Sequence, residues 1–125
     1  MFAFSFGHGS FNYPTSEQCI ILVIAPKADY SSMDSFLTGA FTFMNTNGEF
    51  YDDWEKYYKN RTYIPASDSD IAHMRERFNE MNQKISILYE PIHNAVHIIP
   101  PQWNDISLGL ETSAEYVLCI WGTSA

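Results

Sequence analysis

Residues 67–99 read SDSDIAHMRERFNEMNQKISILYEPIHNAVHII, and they decide the class of this chain. Ser67-Asp68-Ser69-Asp70 has the composition of a helix start, because short oxygen-bearing side chains accept the unpaired N–H groups of a first turn. Ile71, Met74, Phe78 and Met81 then recur at helical spacing, which predicts a helix over about 69–83. Lys84 ends that pattern. Ile85, Ile87 and Tyr89 alternate with Ser86 and Leu88 in the manner of a strand. Pro91-Ile92-His93-Asn94 makes a turn, and residues 95–99 run back, closing a hairpin. One helix followed by one hairpin is the unit around which the rest is read.

Upstream, Phe2, Phe4 and Phe6 alternate with Ala3 and Ser5, a strand with three rings on one face. Gly7-His8-Gly9-Ser10 turns the chain, and Pro14 holds Tyr13 extended. Cys19 to Ala25 is continuously apolar and rich in β-branched residues, a strand covered on both faces, closed by Pro26. Between residues 32 and 47, Met33, Phe36, Leu37, Ala40, Phe43 and Met44 form a helical stripe, with Ser32 as cap and Asn47-Gly48 as stop. The competing reading is a hairpin, since Asn-Gly also favours a tight strand-to-strand turn; the periodicity favours the helix. Tyr51, Trp54 and Tyr58 suggest a short second helix, opened by Asp52 and Asp53 and closed by Lys56 and Lys59, both in accord with the helix dipole. Downstream, Pro100-Pro101 stops the returning strand, residues 102–112 read as loop, and residues 116–121 form a last buried strand ended by Gly122. Helices and strands are segregated. That predicts a single α+β domain over residues 1–125, a mainly antiparallel sheet of about five strands with two or three helices on one face.

Composition supports a folded domain: 46% of the 125 residues are hydrophobic, and roughly two-thirds of the unfolded surface of such a chain can be buried. The formal charge is −8 and it is unevenly placed. Residues 1–55 hold seven acids against one base, Lys27; residues 56–84 hold six bases against four acids; residues 85–125 hold four acids and no base. Such a chain is repelled by phosphate backbones and anionic membranes, and it attracts basic partners. Cys19 and Cys119 each lie in an apolar run and read as buried free thiols. No signal peptide or membrane-length apolar run is visible, so the expectation is a cytoplasmic protein.

Chemistry-bearing patterns are sparse. There is no Walker or dinucleotide glycine loop, no Gly-x-Ser-x-Gly elbow and no Cys-x-x-Cys. His93 and His97 are spaced for a metal pair on a helix, but along a strand they would stand ~13 Å apart. No metal and no cofactor is expected. His8-Gly9-Ser10 after a strand resembles the His-Gly-Ser/Thr element that ends the first strand in ADP-ribosyltransferase-type folds. That resemblance, carried by three residues, implies an enzyme in which His8 helps hold a nicotinamide dinucleotide, a mid-chain Tyr stacks on it, and Glu111 or Glu115 acts near the ribose.

The strongest functional pattern is acidic. Glu49, Asp52, Asp53 and Glu55 interleave with Phe50, Tyr51 and Trp54. Carboxylates can pair with Arg and Lys of a partner while the rings supply buried area. Glu49, Asp52, Asp53, Trp54 and Glu55 are therefore the expected contact set. The partner would be a basic protein, such as a nuclease or a nucleic-acid-binding complex, with no direct contact to nucleic acid or membrane. The expected function is a small inhibitor, immunity-protein-like or a phage-encoded antagonist of a defence complex, that occludes a basic site. The alternatives are a virion or complex assembly subunit, with a homodimer as one form, and the small enzyme built on His8.

Overall fold

The computed structural model describes residues 1–13, 16–46 and 54–124. It is an α+β fold with one antiparallel sheet of six strands and three helices. In chain order these are β1 (Phe2–Phe6), β2 (Gln18–Pro26), α1 (Met33–Thr46), α2 (Trp54–Lys59), β3 (Ile64–Pro65), α3 (Asp68–Asn79), β4 (Asn94–His97), β5 (Asp105–Glu111) and β6 (Glu115–Thr123). Their order across the sheet is β1-β2-β6-β5-β4-β3.

The sheet is built outward from its two apolar strands. β2 and β6 pair along nine residues, from Gln18 opposite Thr123 to Pro26 opposite Glu115. Alternation then sends successive side chains to opposite faces. Ile20, Leu22, Val117, Cys119 and Trp121 join one buried cluster with Ile71, Met74 and Phe78 of α3. Ile21, Val23, Tyr116, Leu118 and Ile120 join a second with Phe36, Leu37, Ala40 and Phe41 of α1 and Tyr57 of α2. The helices therefore lie on both faces, and the expectation of one covered face is corrected. The reason is in the strands themselves: between their ends, residues 19–25 and 116–121 are apolar at successive positions, so each face needs a cover.

Two further expectations change. Residues 85–89 are not a strand; Ile87–Tyr89 is a 3-10 turn, so no hairpin spans 85–99. β4 instead pairs with β5, at residues 105–111, which read as loop from sequence. There Ser107 is fully buried, with its carbonyl accepting from Ile98 N and its hydroxyl from Ile99 N. Gly109 is where α1 touches the sheet: a Cβ there would come within 3.1 Å of Met33 Sδ and 3.3 Å of Leu37 Cδ1. Gly109 thus serves close helix packing, while Ser107 satisfies the backbone that follows β4.

Other elements follow their residues closely. Residues 33–46 are the helix that the periodicity favoured, with the Ser32 hydroxyl accepting from Ser35 N at 3.1 Å; Asn47-Gly48 lies outside the described residues. α3 opens with a capping box, Ser67 Oγ accepting from Asp70 N and the Asp70 carboxylate accepting from Ser67 N at 2.8 Å. It ends at Asn79, short of residue 83. Cys19 faces Gly122 across the ladder and Cys119 faces Leu22, on opposite sides of the sheet, and both thiols are free. Burial raises the pKa of each; for Cys19 the Asp105 carboxylate adds to the rise while a backbone hydrogen bond from Gly122 opposes it. Among the described residues, no helix is long and apolar enough to cross a membrane.

Candidate protein-binding surface

Of the five expected contact residues, Glu49, Asp52 and Asp53 lie outside the described residues, as does the side chain of Trp54, whose backbone opens α2. Glu55 is exposed, and its carboxylate accepts from Lys59 Nζ at 3.1 Å. What the structure adds is the platform into which this stretch runs.

That platform is set by Asp105, the first residue of β5. Its carboxylate is nearly buried and holds α2 with both oxygens. Oδ1 accepts from the Tyr57 hydroxyl at 2.7 Å, and Oδ2 meets Lys56 Nζ at 2.9 Å. The Tyr57 ring in turn stacks on Phe41 of α1, nearly parallel at 6.2 Å, and Phe41 meets Tyr58 edge-on. A six-residue helix has little stability of its own, so this anchoring is what keeps α2 in place. Lys56, expected only to close the helix dipole, is turned inward to the sheet.

The same carboxylate-bearing residue ends a tight turn. Gln102 N donates to Asp105 O at 2.9 Å and Asp105 N to Gln102 O at 3.3 Å, leaving Trp103 and Asn104 as the turn's tip. Trp103 is 75% exposed, the most exposed of the large hydrophobic residues described. It stands two residues from the carboxylate that grips α2, within about 7 Å along the chain. Sequence reading passed over Trp103 because a Trp in a Pro-Pro-Gln-Trp-Asn segment has no periodicity to place it. Beside this turn runs a polar cleft of about 260 Å³ lined in part by His8, Glu17, Cys19 and Asn104.

Other candidate residues are not brought together. Glu111 and Glu115 lie at the far end of the sheet from His8. Glu111 is six residues along β5 from Asp105, about 20 Å away, and it pairs with Lys27 at 2.6 Å. Of the acids in residues 85–125, Asp105 meets α2, whereas Glu111 and Glu115 lie at the other end of the sheet and do not join it in one patch. Asp34 pairs with Arg61 and Glu80 with Arg77, and the described carboxylates are distributed around the molecule. His93 is exposed ahead of β4, whereas His97 is buried and its Nε2 meets Asp70 at 3.1 Å. Among the described residues, no three His, Cys, Asp or Glu side chains are placed to share a metal ion.

No family model matches the chain, and no solved structure matches it. Over 98 residues, 76% of its length, it is 30% identical to the cytochrome c biogenesis protein Ccs1 of Phaeodactylum tricornutum (strain CCAP 1055/1). The match takes up 23% of that protein, so the chain spans about a quarter of the relative's length.

Proposed function

We propose that this chain is an acidic protein-binding domain whose partner is a basic protein. One observation carries the reading: Asp105 ties α2, into which the acid-rich stretch 49–55 runs, to the turn that displays Trp103. An exposed indole on a pinned turn is a ready hot-spot anchor, since little side-chain or loop freedom is lost when it is covered. Glu49, Asp52, Asp53 and Glu55 supply the charge that steers a basic partner and sets its orientation. In an inhibitor, immunity-protein-like or phage-encoded, this surface would occlude the basic site of a nuclease or nucleic-acid-binding complex. The likeness to a protein named for cytochrome c biogenesis supports a second form, in which the same surface holds a partner during the assembly of a complex.

The test is capture of the partner from the source cells, then calorimetry with the two purified proteins over a salt series. Affinity should fall about tenfold between low salt and ~0.3 M as surface charges are screened. Trp103→Ala should weaken binding by about tenfold or more without changing the salt slope. The double variant Asp52→Ala/Asp53→Ala should flatten that slope. Salt-independent binding, or both variants binding as the parent does, would remove the proposal.

A further inference from the structure

The α3 face of the sheet is not covered to its edge. α3 shares one buried cluster with β2, β5 and β6, and β1 at the sheet's end carries Phe2 and Phe4 with 69% and 44% of their surface exposed. Between Phe4 and residues 83–87 runs a groove of about 370 Å³. Its sheet side is Phe4, Phe6, Leu22 and Ile24, and its other wall is Ile85 and Ile87. A second hollow of about 410 Å³, against Phe78, Met81 and Tyr89, shares residues 83–86 with it. Each volume lies in the range of small-molecule sites.

Lys84 stands on the rim common to both hollows. Five of the other bases are ion-paired, and Arg75 donates to the Leu88 carbonyl at 2.6 Å. Among the described residues, Lys84 has no ion pair. A cation at the mouth of an apolar groove, in a chain of charge −8, selects a particular chemistry. The ligand must present one negative charge to the ammonium and an apolar body to the groove. A polyanion or an acid-rich peptide would be repelled by the rest of the molecule, whereas a single carboxylate is the smallest charge that satisfies the lysine.

We infer that this groove binds an apolar monocarboxylate of the medium-chain fatty acid class, its chain lying between Phe4 and Ile87 and its carboxylate on Lys84. The site uses none of the residues assigned to partner binding, so either assignment can fail without the other.

The probes are decanoate below its micelle concentration and decanol, its uncharged counterpart, titrated calorimetrically into the full chain. Decanoate should bind more tightly than decanol. Lys84→Met, which keeps the aliphatic stem, should weaken decanoate about fivefold and leave decanol unchanged, as expected for one partly exposed ion pair. Phe4→Ser should weaken both, with far-UV circular dichroism confirming that each variant is folded. The inference is overturned if decanoate does not bind at about 1 mM, a millimolar limit on useful affinity. It is also overturned if Lys84→Glu binds decanoate as the parent does. Light scattering that shows a dimer, or competition by an acidic peptide better than by decanoate, would likewise assign the groove to another occupant.

Discussion

Asp105 shows how much one side chain can settle. It is 9% exposed, and it accepts one hydrogen bond from Tyr57 and one ion pair from Lys56. Removing a nearly buried carboxylate leaves the tyrosine hydroxyl and the ammonium without that acceptor, which is worse than never having had the group. Lys56 is partly exposed, so water softens the loss. Asp105→Ala should therefore destabilise the chain by about 2–3 kcal/mol, and Tyr57→Phe by about 1 kcal/mol, in urea unfolding. A loss under about 1 kcal/mol for Asp105→Ala would mark the grip as an ordinary surface contact. None of this was legible in the sequence. Asp105 follows a Pro-Pro-containing segment and looks like a loop acid, and its partners are 48 and 49 positions away. The same is true of Trp103, whose exposure depends on a turn defined only by backbone hydrogen bonds.

At the level of elements, the apolar pattern was a good guide where buried positions were filled by large apolar side chains. α1 and α3 were read from their apolar stripes, and β2 and β6 from continuous apolar runs. It failed where alternation came without a ladder, as at 85–89, and in β5, where Gly109 lets α1 come close and the polar Ser107 is buried against the backbone of Ile98 and Ile99. The start of α3 carries a pH signature. The Asp70 carboxyl is held below the ordinary carboxylate range, chiefly by the Ser67 N–H and further by His97 and the Ser67 hydroxyl. A folded-state value below the unfolded one means the unfolded chain binds the extra proton. The resulting stability is fully present above the ordinary carboxylate pKa of about 4 and is lost as pH falls through Asp70's own lower value. Asp70→Asn should be less stable than the parent at neutral pH. The gap should close on acidification, and a gap that stays constant with pH would show that the capping carboxylate is not the group responsible.

Across the whole molecule, the two helical layers share one sheet. The α1 and α2 side chains and the α3 side chains are in separate buried clusters, yet both clusters are built on alternate residues of β2 and β6. Neither face can lose its cover without exposing strands that the other face also needs, and close-packed interiors transmit such changes. The chain should therefore unfold in one step, as domains of this size generally do. Leu37→Ala on the α1 side and Met74→Ala on the α3 side, both almost wholly buried, should each cost about 2–5 kcal/mol. Each should also lower the same transition, seen together by far-UV circular dichroism and tryptophan fluorescence. If Leu37→Ala shifted one signal and left the other in place, the layers would be separable units. The binding surface at α2 could then loosen while α3 and its groove stayed folded.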